Sequence, residues 1–572
     1  LVKTRAETLA ALRQQPNVSV LIVGAGINGA GVFRELALQG VNCLLIDKSD
    51  FCAGTSAASG RVIHGGIRYL ENGEFRLVKE ALLERNRLLL NAPHYVKPLR
   101  AVMPAFSWLG GWLYAAKQFM GLPSKPGDRG ALIIKIGMML YDAFSGSLRS
   151  MPRHCFQGRK SALAQYPPLN PKIRALAAYY DARLTYAERL CYELVADAQA
   201  AFPTARALNY VRVHGAAGDT VTLCDQLTDD TLTVKPQIVV NASGAWIDFT
   251  NRSLGRETQF IGGTKGSHMV VKHDTLHALT RGDMFHFINT DGRLTIFYPI
   301  EDKVLIGTTD LRIDDPDSAV CDEDETDYLL QSVSHIFPAI KLDRSHIVFR
   351  FSGMRPLPTN NALVTGQISR DHSFPFTAPN TQVSFPLYSL VGGKWTTFRA
   401  FAEQVTDQLL ADLRQPRRVD TKRLAIGGGK AYPRTDAERT AWLRKVQQAA
   451  DMPLRRLDVL LERYGTRAEV VARYMAAAPD EPLRHHPAYT RREIQYIALH
   501  EQVAHVDDVI LRRTLIGLLG QLTPELLREL TEVLGTALGW SAEQQRAEIE
   551  RTITLYRQRH GVELDQKRIT LF

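Results

Sequence analysis

The chain has 572 residues, 45% of them apolar and 23% charged, proportions of a globular protein too long for one ordinary core, so two or three domains are expected. Its 70 Lys and Arg outnumber 60 Asp and Glu for a net charge of +10, which favours acidic partners such as phosphorylated substrates, anionic lipid or nucleic acid. Six scattered cysteines without a CxxC pair exclude a disulfide framework and an Fe–S or zinc cluster. That cysteine usage leads to the expectation of a reducing cytoplasmic setting; polar residues 1–17 do not read as a secretory leader, and no window reaches the roughly 18 unbroken apolar residues of a membrane span.

The first informative stretch is Val18 to Asp47. An apolar run, Val20 to Val23, predicts a buried parallel strand. It stops at Gly24-Ala-Gly26-Ile-Asn-Gly29, and a helical pattern follows through Phe33, Leu36 and Ala37. A second short strand, Cys43 to Ile46, ends at Asp47, an acid about 20 residues beyond the glycines. Glycines let the backbone turn and approach a pyrophosphate, and the helix N-terminus offers N–H groups to it. The Asp47 carboxylate suits a ribose diol. The stretch is read as a dinucleotide site.

Phe51 to Glu71 is rich in small hydroxyl residues and glycines, among them Thr55, Ser56, Ser59 and Gly60. Such a segment can lie along a cofactor and donate hydrogen bonds. His64-Gly65-Gly66 brings backbone to where a flat ring could rest; His64 has an equally good reading as a structural histidine. Arg68 and Tyr69 follow. Phe75 to Leu90 predicts an amphipathic scaffold helix. Met103 to Leu122 gathers Trp108, Trp112, Tyr114 and Phe119, and Leu132 to Phe144 continues apolar. A buried helix pair and a patch at a membrane interface are both open readings.

Ala207 to Val213 reads as a strand, and Gln237 to Ile247 as a buried strand ending in a small-residue turn. Gly262–Val271 and Leu294–Asp310 alternate as strands. Tyr388 to Arg399 predicts a strand, a Gly392-Gly393 turn and a helix carrying Lys394, Thr396 and Thr397, whose N-terminus could face developing negative charge. After about Gln415 strand patterns give way to helices, with Gly427-Gly-Gly429 read as the linker. His500 and His505 stand at i and i+5, which do not share a helix face, so they predict no zinc site. Cofactor-type residues are spread over about 370 positions, from Gly24 to Thr397. That suits a long FAD better than a nicotinamide held by one compact unit. Arg68, Arg355, Arg370 and Lys394 form a cationic set suited to a phosphate or carboxylate.

The motifs GAGINGAG, GTSAAS with IHGGIRYLE, FRLVKEAL, NASGAW, KGSH, IGTTD, FSGMRPL, SRD and VGGKWTTFR, in this order, resemble the FAD-dependent, quinone-linked glycerol-3-phosphate dehydrogenases of the D-amino-acid-oxidase-like flavoproteins. RYGTRA and VDDVILRRT are similar to that family's C-terminal helical domain. The resemblance implies an α/β fold: a Rossmann-like FAD-binding domain (17–90, 180–260 and 345–415) interleaved with an antiparallel-sheet substrate or cap domain (91–179 and 261–344), then an all-helical domain at 420–572. It assigns Gly24, Gly26, Ile27, Asn28, Gly29, Asp47 and Lys48 to the ADP half of FAD. Thr55, Ser56, Ser59, His64, Gly65 and Gly66 fall to the pyrophosphate-to-flavin stretch. Val213, Ala242 and Gly244 fall near the adenine and ribose, and Gly392, Gly393, Lys394, Trp395, Thr396 and Thr397 at the flavin's pyrimidine edge. Arg68, Tyr69, Thr308, Arg355, Arg370 and Lys394 would surround the substrate, with His268 as base and Arg355 and Lys394 assisting.

The implied reaction oxidises glycerol 3-phosphate to dihydroxyacetone phosphate, with electrons leaving to ubiquinone or menaquinone. The implied location is the cytoplasmic face of the inner membrane, bound peripherally to its anionic surface. No nucleic acid and no metal are expected, and a homodimer is left open. Two departures stand out: segment 104–130 is longer and more apolar than the family's short form, and Ala57–Arg61 is built of smaller residues. An oxygen-using oxidase and a non-catalytic basic membrane-binding protein with a vestigial nucleotide fold are the competing readings.

Overall fold

The computed structural model describes residues 4–70, 73–111, 129–144, 151–289, 292–359 and 370–564, apart from the Arg68 side chain. Two sheets dominate these residues. The first has eight strands, with the parallel run Leu387–Ser389, Thr231–Asn241, Asn17–Val23, Cys43–Ile46 and Arg206–Leu208 at its centre. Its strands are continuous apolar runs because both faces are covered: Val20, Leu21 and Ile22 have no exposed surface. Helices Ile27–Leu38, Ala187–Ala201 and Phe398–Asp412 cover one face, with Phe33, Leu36, Leu194 and Phe401 in the shared core. The other face carries helix Arg5–Gln14 and the hairpin Val211–Ala217/Thr220–Asp225. The N-terminal helix has no counterpart in the sequence reading, although Thr4 and Glu7 form its capping box. The predicted strand 207–213 divides at Asn209-Tyr210, where Tyr210 takes a positive φ of 55°.

The second sheet has ten strands. Val96–Ala105 pairs antiparallel with Ala175–Leu184 along its whole length. Thr264–Val271 pairs antiparallel with Lys303–Gly307 on one side and Ile347–Arg355 on the other. This moves two of the expected domain boundaries. Ile347–Arg355, assigned above to the FAD-binding unit, lies in the second sheet because it registers with Thr264–Val271, setting Phe351 opposite His268 and Arg355 opposite Thr264. Val62–Ile63 likewise pairs with Ala175–Leu184.

From Asp436 onward the described residues are mainly helical, and they do not stand apart. Ile494, Ile510, Leu526 and Ile553 share one core with Leu99, Val270, Tyr298 and Phe351 of the second sheet. Buried ion pairs join the C-terminal helices to the unit built on the first sheet: Arg512 and Arg513 donate to Asp50 Oδ2 at 2.7 and 2.8 Å, and Arg189 pairs with Glu501 at 2.8 Å. Gly427–Gly429 is a packed turn rather than the expected linker. Added Cβ atoms would lie 2.0 Å from Glu193 Oε2, 2.0 Å from the Tyr464 carbonyl and 2.4 Å from the Asn91 carbonyl, so these glycines serve close approach. His505 is paired with Glu548 at 2.7 Å, and the helix bearing His500 ends there.

Candidate active site

A cavity of about 1190 Å³ lies between the C-terminal ends of the parallel strands and the inner face of the ten-stranded sheet. Val23, Asp47 and Ala242 line it from the first sheet, and His268, Phe351 and Arg355 from the second. Ligands of open α/β sheets bind at this end of the strands.

The glycine turn is built by close contacts. Gly24 has φ +105°, and a Cβ there would sit 2.6 Å from the Ala242 carbonyl. A Cβ at Gly29 would lie 1.9 Å from the Gly24 carbonyl and 3.1 Å from Ala242 Cβ. Gly29 therefore serves helix–strand packing and does not itself line the cavity, unlike Gly24, Gly26, Ile27 and Asn28. Helix Ile27–Leu38 starts at Gly26 without a side-chain cap; the Ile27 N–H donates to Ser56 Oγ at 3.0 Å. Asp47 lines the cavity but already accepts from the Ala25 N–H at 2.7 Å and the Ser49 N–H at 2.9 Å. It stabilises the turn as well as facing the cavity, and burial pushes its carboxyl up to about 6. Lys48 lies over Trp246 at 4.4 Å and pairs with Asp317 at 3.3 Å.

Residues distant in sequence meet along the cavity. Asn28 Nδ2 donates to the Gly392 carbonyl at 3.2 Å, and Gly393, at φ +86°, has room only for a hydrogen beside Asn28. Trp395 Nε1 donates to the Ser56 carbonyl at 3.0 Å, and Thr55 Oγ1 to the Met354 carbonyl at 2.6 Å. The Ser59 hydroxyl accepts from the Arg61 N–H at 3.3 Å. Val213, Ala242 and Gly244 line the opposite end. The expected helix at Lys394 begins later, at Phe398, with Thr397 as its N-cap; Lys394 to Thr396 form the turn before it. Gly65 and Thr397 lie just behind the wall, while His64, Gly66 and Thr396 face the cavity. Asn28 Oδ1, Lys394 Nζ and Thr397 Oγ1 are buried without a hydrogen-bond partner among the described residues. Buried polar groups are nearly always satisfied, so the two of these that line the cavity, Asn28 and Lys394, suit polar ligand groups within it.

At the other end of the cavity the cations converge. Lys394 Nζ stands 4.2 Å over the Tyr69 ring, and burial together with the Arg370 charge lowers its pKa. Arg355 donates to Asp310 Oδ1 at 3.0 Å, Thr308 Oγ1 at 2.9 Å and the Thr309 carbonyl at 2.9 Å. Arg370 reaches the other Asp310 oxygen at 3.8 Å. Asp310, the last residue of IGTTD, thus orders both arginines, a role the sequence reading missed although it singled out the motif. Burial brings the Arg355 guanidinium down to about 10, still a cation at neutral pH. Tyr179, Asp181 and His286 also line the cavity and carried no sequence signal beyond their residue types. The Arg68 side chain, Trp112, Tyr114 and Phe119 lie outside the described residues.

His268 is 5% exposed and stacks on Phe351 with ring centroids 5.1 Å apart. Burial, then the charges of Arg355 and Arg61, push its pKa down to about 3, so the imidazole is neutral at neutral pH. An unfolded chain's histidine titrates near ~6.5. Below that pH the unfolded state takes up a proton that the native state refuses, so native stability falls as pH drops, by up to about 1.4 kcal/mol per pH unit from this side chain. Denaturant unfolding at pH 6.5, 5.5 and 4.5 is expected to show that decline, and His268→Asn to flatten it by about one proton. Equal slopes in the two proteins would contradict the buried neutral imidazole.

Comparison with known proteins agrees with this geometry. An FAD-dependent oxidoreductase family model matches residues 19–380, and the C-terminal domain of alpha-glycerophosphate oxidase matches residues 419–545. The fold and the cavity are those of an FAD-dependent oxidoreductase, and its cofactor is FAD. The chain is 33% identical over 562 residues to a glycerol-3-phosphate dehydrogenase of Synechocystis sp., covering 94% of this chain and 96% of the relative. A glycerol-3-phosphate dehydrogenase of Pseudomonas aeruginosa is 30% identical over 524 residues, 87% of this chain and 92% of that one. A solved glycerol-3-phosphate dehydrogenase from Bacillus halodurans, complexed with FAD, superposes with a TM-score of 0.74 over 98% of both chains at 22% identity. This chain belongs to the FAD-dependent glycerol-3-phosphate dehydrogenase family.

Proposed function

We propose that the chain oxidises sn-glycerol 3-phosphate to dihydroxyacetone phosphate and passes the electrons to a membrane quinone. The observation that carries this reading is the Lys394 ammonium, buried without a hydrogen-bond partner among the described residues, in the same cavity as Arg370, Arg355 and the neutral His268. Bound FAD, held by the Gly24–Gly29 turn, the Thr55–Gly66 stretch and Gly392–Thr397, supplies the hydride acceptor. Lys394, Arg370 and Tyr69 hold the phosphate and fix the carbinol carbon for transfer. His268 takes the hydroxyl proton, and Arg355, oriented by Asp310 and Thr308, steadies the developing alkoxide. The proposed division of labour is a nucleotide-binding unit on the parallel sheet, a substrate unit on the ten-stranded sheet and a C-terminal helical unit.

The test is Arg370→Ala. Its expected result is a KM for sn-glycerol 3-phosphate raised about 10–100-fold, the loss of a charge-assisted contact, with FAD still bound. An unchanged KM overturns the phosphate role. D-erythritol 1-phosphate belongs in the same assay, because a Brucella abortus protein named for that substrate is 29% identical over 510 residues.

Oxygen as the acceptor is the second reading, favoured by the alpha-glycerophosphate oxidase description of the C-terminal match. Anaerobic turnover with a quinone analogue, set beside peroxide yield in air, separates the two.

The membrane reading is supported by helix Ala131–Phe144. It buries Ile134, Met138 and Tyr141 but exposes Leu132, Ile136, Met139 and Leu140. Trp108 and Leu109 are exposed beside its start, where the Leu132 N–H donates to the Trp108 carbonyl. Among the described residues no helix is long and apolar enough to cross a membrane, which fits a face that lies on one. The quadruple change of Leu132, Ile136, Met139 and Leu140 to Gln is expected to abolish cosedimentation with anionic vesicles while leaving dye-linked turnover intact; undiminished cosedimentation overturns the assignment.

A further inference from the structure

Behind the cofactor turn His64-Gly65-Gly66 lies a cluster that none of the roles above uses. The Gly65 N–H donates to the Tyr141 hydroxyl at 2.8 Å and to Asp181 Oδ1 at 3.2 Å. The same hydroxyl donates to Asp181 Oδ1 at 2.5 Å. Arg85 donates to that oxygen at 3.0 Å and to the Tyr180 carbonyl at 2.8 Å. The Arg85 and Asp181 side chains are 3% and 2% exposed. Helix Ala131–Phe144 and strand Ala175–Leu184 thus meet at one backbone N–H, and helix Phe75–Asn91 reaches it through the Arg85 contact with Asp181.

The turn is pressed onto this cluster. A Cβ at Gly65 would lie 2.5 Å from the Tyr141 hydroxyl and 2.4 Å from Leu82 Cδ2. On its other side the His64 N–H donates to Thr396 Oγ1 at 3.1 Å, which ties the turn to the Gly392–Thr396 segment. The turn is thus pinned from both directions, and Gly66, at φ +74°, faces the cavity. Asp181 itself lines the cavity.

We propose that Tyr141, Asp181 and Arg85 are positioning residues that hold the Gly65-Gly66 turn as a wall of the FAD cavity, and that the Asp181–Arg85 charge balance sets the reduction potential of the bound FAD. The two members of the pair act with opposite sign. A buried carboxylate beside the cofactor opposes the arrival of electrons, and a buried guanidinium favours it. Asp181→Asn leaves the Arg85 cation uncompensated, so the potential moves positive. Arg85→Gln leaves the carboxylate uncompensated, so the potential moves negative. Tyr141→Phe removes a hydrogen bond without changing charge.

The experiment uses the FAD-loaded full chain, with FAD affinity read by flavin fluorescence and the midpoint potential by anaerobic dye equilibration. Tyr141→Phe is expected to weaken FAD binding about 3–10-fold, the cost of one hydrogen bond, with the potential unmoved. Asp181→Asn and Arg85→Gln are expected to shift the potential in opposite directions. Either charge variant suffices, because the sign of its shift decides the matter if the other fails to fold. Unchanged FAD affinity in Tyr141→Phe overturns the positioning role. Shifts of the same sign in both charge variants, or no shift in one that folds, overturn the charge role.

Discussion

Lys394→Met is expected to lower kcat/KM for sn-glycerol 3-phosphate by about 10²–10³-fold, the equivalent of losing a desolvated charge-pair contact, while FAD remains bound. The side chain is buried and its Nζ has no hydrogen-bond partner among the described residues, so its removal strands no carboxylate. That separates it from Arg355, whose loss would leave Asp310 without its 3.0 Å partner and confuse a substrate effect with a structural one. Methionine keeps most of the aliphatic chain but gives up the Nζ contact with the Tyr69 ring. Taking out a buried ammonium that has no hydrogen-bond partner among the described residues relieves a desolvation cost that outweighs the lost ring contact, worth about 0.5–2 kcal/mol, so the melting temperature of the variant is expected to hold or rise. A loss spread over KM and kcat together is the signature of an anchor that both binds and orients. Unimpaired kcat/KM would refute the phosphate assignment, and a lower melting temperature would refute the unpaired ammonium.

The second large effect is expected at Gly29. Its replacement by Ala puts a Cβ 1.9 Å from the Gly24 carbonyl. That neighbour is backbone, part of the turn itself, and cannot swing aside as a side chain could. The helix must move away from the strand, and the first-turn N–H groups move with it. FAD affinity is expected to fall by about 10²-fold or more, since overpacking at a fixed site costs up to about 3 kcal/mol. The protein should purify without its visible flavin spectrum. Gly215→Ala is the control: nothing lies within 4 Å of the added atom, and flavin content should be unaltered. Retention of FAD by Gly29→Ala would mean that the pyrophosphate is held elsewhere.

Much of the nucleotide-binding unit was legible because its signals are local. The apolar run Val20–Val23, the glycines and Asp47 lie within one strand–turn–helix–strand unit, and each residue type has a reason for its place. The cationic cluster was legible as residue types, and all of its described members line one cavity. Its organisation was not. Asp310 gathers Arg355 and Arg370, and nothing in the spacing of IGTTD and FSGMR announces that. Arg355 was placed near the substrate, and the structure adds that it donates to Thr308, the Thr309 carbonyl and Asp310 within the protein.

The same division runs through the fold. The sequence by itself determined the class of the protein, its FAD cofactor and the cationic residue types that line the cavity, because backbone conformation, helix dipole and charge are properties of short segments. Only the tertiary structure decided that Ile347–Arg355 belongs to the ten-stranded sheet, where pairing with Thr264–Val271 sets Phe351 beside His268. It also decided that Gly427–Gly429 is a packed contact, and that Tyr141, Asp181 and Arg85 meet behind Gly65. Strand partnership, burial and hydrogen-bond satisfaction depend on segments far apart in the chain, and no local pattern carries that information.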